Sequence, residues 1–210
     1  MQNAIRYYRP KRKIHIIPLS YEPYSFIPKS RSELGLDSNR TYLISIGRIV
    51  KRKGFDYLIR SLEFLDEDIV LLIIGGGTGE NFLLKLVERL NLQRRVKFLG
   101  DVSEELKFQY LSNSDLYVLS SLHEGFGIVL QEAMQVGLPI ITTNCGGQLD
   151  IVAEGINGLL VEPRNEKALA DAILHMLNRP KLVALMASNN VKALVKYKTE
   201  NIIDQYISLI

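Results

Sequence analysis

Two glutamates, Glu124 and Glu132, stand in the stretch SSLHEGFGIVLQEAMQVGLP over residues 120–139. An apolar strand leads into this stretch, Gly125 and Gly127 punctuate its loop, and an amphipathic pattern follows. Glycine has no Cβ to obstruct a ligand, so the loop backbone can approach one closely. A helix starting near Gly127 directs free N–H groups at the loop, which suits a phosphate. It is expected to end near Gly137, and Pro139 cannot continue it. Two carboxylates facing such a crevice could accept hydrogen bonds from sugar hydroxyls. The bland alternative is a solvated loop Glu and a solvated helix Glu.

Gly47 and Arg48 follow another apolar run, and Lys53-Gly54 opens the next helical pattern. A guanidinium and an ammonium at a strand end suit a diphosphate, one as a planar fork and the other as a point charge. The competing reading pairs Arg48 with a surface carboxylate and leaves Lys51–Lys53 facing water. The loop lacks GxxxxGK[ST], so it is no nucleoside-triphosphatase loop. The Gly75–Gly79 run (GGGTG) fits GxGxxG in neither register and reads as a tight turn with a close backbone approach. His123 could serve as acid or base, but a lone loop histidine is more often structural. Cys145 has no His or Asp near it in sequence, no His/Cys/carboxylate cluster has metal-ligand spacing, and Ser120-Ser121 lacks GxSxG.

These residues need elements to position them. Runs of four to six residues at Tyr42–Gly47, Ile69–Ile74, Val96–Leu99, Leu116–Leu119, Pro139–Thr143 and Gly158–Val161 read as strands, and the nearly continuous apolar character of the first two is that of strands buried on both faces. Ile14–Pro18 reads as a further short strand. Helical periodicity follows the strands: Phe55, Leu58, Ile59 and Leu62, then Phe82, Leu83, Leu86 and Leu90, then Ser103–Leu111 with Ser103 as N-cap. Helices at about 165–177, 181–196 and 200–210 close the chain. Strands alternating with helices predict a doubly wound parallel α/β sheet with helices on both faces. Right-handed crossovers would bring the loops after Ile46, Ile74, Leu99, Leu119 and Thr143 to one edge, sharing one crevice.

With 210 residues, one large domain is expected. A net charge of +3 is too small to argue for nucleic acid. Arg6, Arg9, Lys11, Arg12 and Lys13 crowd the first segment. A solvated surface is the ordinary reading, and a weak membrane-surface contact is the sharper one. A single cysteine excludes an internal disulfide and fits a reducing compartment. No apolar run reaches the roughly 18 residues of a transmembrane helix, and the basic, Tyr-rich start is no signal peptide. A cytoplasmic protein is expected, with peripheral association at the inner membrane face as the alternative attached to the basic segment.

In order along the chain stand the GR…KG loop (Gly47, Arg48, Lys53, Gly54), VKFLG (Val96–Gly100), SDLYVLSS, EGFGIVLQEAMQVGLPII with Glu-x7-Glu spacing, TTNCGG…D and NGLLVEP. Together they resemble the C-terminal, donor-binding domain of the retaining GT-B glycosyltransferases, family 4 (group 1), over roughly residues 40–210. The resemblance implies a Rossmann-like half of a GT-B enzyme with a nucleoside-diphosphate sugar in the crevice. It implies that Arg48 and Lys53 bind the donor diphosphate beside Gly47. Glu124, the catalytic position, would contact the donor sugar near the reacting carbon, and Glu132 the ribose hydroxyls. Backbone N–H groups around Phe126, Gly127 and Ile128 would meet sugar and phosphate, and the Phe98–Val102 loop would flank the base. Positive charge and a helix N-terminus would then stabilise the leaving diphosphate, with no metal and no further cofactor.

Two departures from the family pattern stand out. The family's GG-x-x-E reads Gly146-Gly147-Gln148-Leu149-Asp150 here, one methylene shorter at the acid. Family members also carry an N-terminal Rossmann-like domain that binds the acceptor and supplies a catalytic His. Here Ile14–Pro28 resembles only the segment leading out of that domain, with Leu19-Ser20-Tyr21-Glu22 where Asn-Gly-Val-Asp is usual. The expectation is therefore a linker over 1–30, a nucleotide-sugar-binding domain over 31–210, and an acceptor glycan or lipid held by a missing domain or partner subunit. Alone, the chain would bind donor and transfer little. A non-catalytic anion-binding scaffold and a related nucleotide-sugar epimerase are the alternatives, while a phosphorylase lacks its pyridoxal-phosphate lysine context.

Overall fold

A computed structural model describes residue 15 and residues 17–209. The basic cluster at residues 6–13 lies outside the described residues, as do residues 14 and 16 of the strand expected over Ile14–Pro18. The described residues of that stretch are irregular.

Six strands form one parallel sheet: β1 (Thr41–Ile46), β2 (Ile69–Ile74), β3 (Val96–Gly100), β4 (Leu116–Leu119), β5 (Ile140–Thr143) and β6 (Gly158–Val161). Their spatial order is β3-β2-β1-β4-β5-β6. The helices are α1 (Phe55–Ser61), α2 (Glu80–Arg89), α3 (Glu104–Ser112), α4 (Ile128–Gln135), α5 (Glu166–Leu177), α6 (Pro180–Leu194) and α7 (Thr199–Ile207). Ser103 caps α3 by accepting from the Leu106 N–H, and Asn165 caps α5 by accepting from the Ala168 N–H.

Side chains alternate across each strand, so the apolar runs supply two cores. Leu43, Leu71, Ile73 and Val118 face α1, α2 and α5, which contribute Phe55, Leu58, Leu86, Leu169 and Ile173. Tyr42, Ile44, Leu72 and Tyr117 face the side covered by Phe108 of α3 and by Leu130 and Met134 of α4. A near-continuous hydrophobic strand is the sequence mark of this two-sided burial.

Two expected contacts fall elsewhere. Phe82 is 57% exposed, because the stripe that packs from α2 is Leu83, Leu86 and Val87, flanked by Leu90. Phe98 lies inside β3 and packs on the α1/α2 side, so only the residues after Gly100 form the loop beyond the strand.

The segment before residue 31 packs on the domain. Tyr21 is buried, its N–H donates to the Tyr197 carbonyl at 2.7 Å, and its hydroxyl donates to Gln135 Oε1 at 2.5 Å. Tyr24 and Phe26 stack on Phe108, with ring centroids 5.1 and 5.6 Å away. No helix among the described residues is long and apolar enough to cross a membrane.

Candidate functional site

Strand order reverses direction between β1 and β4, which are neighbours in space. Open parallel sheets bind ligands outside the carboxyl ends of their strands at this reversal. The two loops that leave β1 and β4 are the ones that carry Gly47–Lys53 and Ser120–Gly127. They are tied together by backbone: the Leu122 N–H donates to the Arg52 carbonyl at 2.7 Å, and Ser120 Oγ donates to the Lys53 carbonyl at 3.1 Å.

Lys53 ends a single 3-10 turn, and Gly54 follows in the left-handed region at φ +62°. The turn sends the Lys53 side chain back along Gly47, where a Cβ would stand 3.2 Å from Cε. Its ammonium donates to Glu124 Oε2 at 2.5 Å, and the two side chains are only 8% and 11% exposed. Lys53 therefore does not face water, unlike Lys51 and Arg52, which are exposed. Burial alone would push the Glu124 carboxyl up. The Lys53 ammonium, Ser121 Oγ at 3.2 Å and the Gly125 N–H at 3.3 Å outweigh it and hold the group below the usual carboxylate range.

Arg48 is exposed, and its side chain makes no hydrogen bond among the described residues. Its guanidinium stands free at the β1 end. Phe126 is partly buried, with its ring edge-on to Tyr197 at 6.1 Å. Gly127, at φ +87°, is the residue that lets the chain turn into α4, and Ile128 at the first position is half exposed. The first-turn N–H groups of α4 thus begin beside Glu124 and Lys53, as a positive helix end.

The Gly146-Gly147 pair is a support for this loop. The Gly147 N–H donates to the Glu124 carbonyl at 3.1 Å. A Cβ on Gly147 would overlap the Gly125 carbonyl, and one on Gly146 the Glu124 carbonyl. Thr143 Oγ1 donates to the Ser121 carbonyl at 2.5 Å, and Cys145 Sγ to the same carbonyl at 3.1 Å, so the cysteine braces backbone. Gly75 plays the matching part on the other side, since a Cβ there would overlap the Gly47 carbonyl. The Gly76 N–H donates to Asp101 Oδ1 at 3.1 Å, closing the β2 and β3 loops on each other. Val102 sits just past that contact, partly buried against the α3/α4 core. His123 is exposed and makes no hydrogen bond among the described residues.

Glu132 lies one turn into α4 and is joined to a residue that sequence reasoning missed. Lys107 of α3 donates to Glu132 Oε1 at 2.7 Å and to Glu104 at 2.7 Å. Burial would lower the Lys107 ammonium, but its hydrogen bonds to Glu104 and Glu132 carry it above the ordinary lysine value. A signal existed, because Lys107 interrupts the buried stripe between Ser103 and Leu111. A charge at a buried position demands a partner, yet its partner lies 25 positions away. The Tyr117 hydroxyl, fully buried beneath α4, is pushed well above the usual tyrosine value by burial and then by the Glu132 carboxylate. No group of three or more His, Cys, Asp or Glu with metal-holding geometry occurs among the described residues.

Residues 26–193 match the family described as Glycosyl transferases group 1. An uncharacterized glycosyltransferase of Methanocaldococcus jannaschii is 28% identical over 211 residues, covering 95% of this chain and 54% of that protein. Sucrose-phosphate synthase from Thermosynechococcus elongatus superposes with a TM-score of 0.89 at 29% identity, over 99% of this chain and 55% of that one. Anabaena HepE in complex with UDP superposes with a TM-score of 0.78 at 29% identity, over 86% of this chain and 51% of that one. The chain spans about half the length of the curated relatives it matches. With its six-stranded parallel sheet and its paired β1 and β4 loops, the chain belongs to the group 1 glycosyl transferase family.

Proposed function

We propose that this chain is the donor-binding half of a retaining glycosyltransferase, holding a nucleoside-diphosphate sugar in the β1/β4 crevice without a metal. The observation that carries the reading is the buried Lys53–Glu124 pair, which joins the β1 loop, where Arg48 is exposed, to the loop that opens α4. Arg48, Lys53 and the helix end supply positive potential for a diphosphate, and such fixed donors stabilise charge that develops on a leaving group. Glu124, kept ionised by Lys53, is an acceptor for sugar hydroxyls. When a diphosphate arrives, its oxygens compete with Glu124 for the Lys53 ammonium, so ligand binding and the freeing of the carboxylate are linked. Glu132 takes the ribose hydroxyls, and the Gly100–Val102 loop borders the base. The HepE complex, a relative of this fold that holds UDP, supports a nucleotide in this crevice.

Transfer to an acceptor hydroxyl, of a glycan or a lipid, requires a second domain. A single open crevice cannot exclude the water that would compete as acceptor. Alone, the chain is expected to bind donor and transfer little.

The test is calorimetric titration of the chain with UDP, GDP, ADP and inorganic pyrophosphate, without added metal. Micromolar binding of one nucleotide in preference to pyrophosphate is expected. Equal affinity for all four would replace this reading with a general anion-binding scaffold. An NMR time course on the bare donor sugar nucleotide separates the epimerase alternative, which would interconvert it with no acceptor present.

A further inference from the structure

A cavity of about 340 Å³ lies against the loop that opens α4. Its lining joins residues 17–19, Phe126 of that loop, Asp150, Lys196, Tyr197 and Gln205 of α7. Neither Arg48, Lys53, Glu124 nor Glu132 lines it, so it is separate from the β1/β4 crevice. Two of its residues nevertheless stand on the segments that meet at Glu124. Phe126 follows Glu124 by two positions. Asp150 ends the 3-10 turn whose Gly147 N–H donates to the Glu124 carbonyl. The polar side chains here are unspent. The Asp150 carboxylate and the Lys196 ammonium are both exposed, and among the described residues neither forms an ion pair with the other or with any other group. Lys196 lies over the Tyr197 ring at 4.7 Å. Gln205 spends only its amide N–H, on the Asn201 carbonyl at 3.3 Å, and keeps its oxygen.

We infer that this cavity is a subsite for a neutral carbohydrate, the acceptor glycan, held in this half of the enzyme. The inference rests on the donor-binding reading of the β1/β4 crevice and narrows the acceptor from glycan or lipid to glycan. An acceptor-only carboxylate, a donor-only ammonium and an amide oxygen suit a ligand whose groups both donate and accept, as hydroxyls do. One negative and one positive charge balance, so an anionic ligand would meet Asp150 as well as Lys196. The Phe126 and Tyr197 rings, edge-on to each other, offer apolar surface to the C–H face of a sugar ring. Apolar and aromatic walls with a few placed polar groups, in a volume of about 300–1,000 Å³, characterise small-molecule sites. A glycan held here rests on the loop that carries Glu124, and the second domain has only to close over both and exclude water.

The test is proton–nitrogen NMR of the chain titrated with glucose, galactose, N-acetylglucosamine and maltose. Each titration is run first alone and then with whichever of UDP, GDP or ADP the chain binds. At least one sugar, at millimolar concentration, is expected to shift the Gln205 side-chain amide and the Phe126 and Lys196 backbone amides, with nucleotide present or absent. Asp150→Asn and Lys196→Met should each weaken that sugar about tenfold, the scale of one charge-assisted contact, and leave nucleotide affinity within about twofold. Both side chains are exposed, and Gln205→Ala provides the same comparison if either variant does not fold. Octyl phosphate, the probe for a lipid phosphate, should leave the three amides unmoved. The inference is overturned if no sugar moves the Gln205 amide, or if shifts are confined to the β1 and β4 loops. Sugar affinity unchanged in the variants, or larger shifts with octyl phosphate than with any sugar, would also overturn it. None of these outcomes touches the donor reading, which fails separately if no nucleotide binds.

Discussion

Replacing Lys53 with methionine removes one partner of an ion pair whose side chains are 8% and 11% exposed. The methionine keeps the length that lies across Gly47, so packing is largely preserved. What remains is a Glu124 carboxylate out of water, with Ser121 Oγ at 3.2 Å and the Gly125 N–H at 3.3 Å as its remaining hydrogen bonds. Breaking a buried pair by deleting one side costs about 3–5 kcal/mol. With two long contacts left to offset it, about 3 kcal/mol is expected at pH 7.5. The pH dependence separates this cause from a packing defect. In the wild type, Glu124 is held below its unfolded value, so its contribution is present above about pH 4.5 and fades as pH falls through the folded value. In the variant burial is opposed only by those two long hydrogen bonds, and the carboxyl is expected to rise. The folded state then binds the proton more tightly than the unfolded chain, and stability declines as pH rises above about 4.5. The gap between the two proteins must therefore widen with pH, by up to about 1.4 kcal/mol for each pH unit over which they differ by a full proton. Urea unfolding followed by far-UV circular dichroism at pH 5.0 and 7.5 measures it, since the chain has no tryptophan. Adding Glu124→Gln should restore stability at pH 7.5 to within about 1 kcal/mol of wild type, because no buried charge is left unpaired. A deficit equal at both pH values, or undiminished in the double variant, would refute the buried-charge account.

Other expected outcomes divide structural residues from ligand residues. Arg48→Ala should leave the unfolding midpoint unchanged, since the Arg48 side chain is exposed and makes no hydrogen bond among the described residues. The same variant should weaken nucleoside-diphosphate binding by about tenfold to a hundredfold, read by calorimetry. Gly147→Ala should behave in the opposite way. Its Cβ would overlap the Gly125 carbonyl, so the melting temperature is expected to drop by several degrees, for a strain of roughly 1–3 kcal/mol. Its nucleotide affinity should fall because the Glu124–Gly127 loop is displaced.

Much of the fold was legible because its determinants are local. Ile69–Ile74 is a continuous apolar run, and both its faces are buried. Ser103 and Asn165 cap helices through side chains that reach only three residues ahead. Gly127, Gly137 and Pro139 bound α4 as their backbone preferences require. Where local pattern failed, a neighbour distant in sequence decided the outcome. Phe82 has the spacing of a core residue, but the sheet takes Leu83, Leu86 and Val87 and leaves it outside. Tyr21, expected in a linker, is drawn into the core by Gln135 and Tyr197, far along the chain.

The same division runs through the site. Residue types and spacing alone indicated a Gly-rich loop before a helix, a strand-end Arg and Lys, and two glutamates eight positions apart. Strand order was beyond them, because a period of two or 3.6 says nothing about which strands pair. The order β3-β2-β1-β4-β5-β6 makes neighbours of the β1 and β4 loops. That adjacency brings Lys53 to Glu124 across 71 positions of sequence, and the packing of α3 and α4 into one core brings Lys107 to Glu132 across 25. Sequence determined which groups exist and on which kind of element each one rides. Only the tertiary structure determined which charges meet, since an ion pair forms where burial removes the water that would otherwise solvate each partner alone.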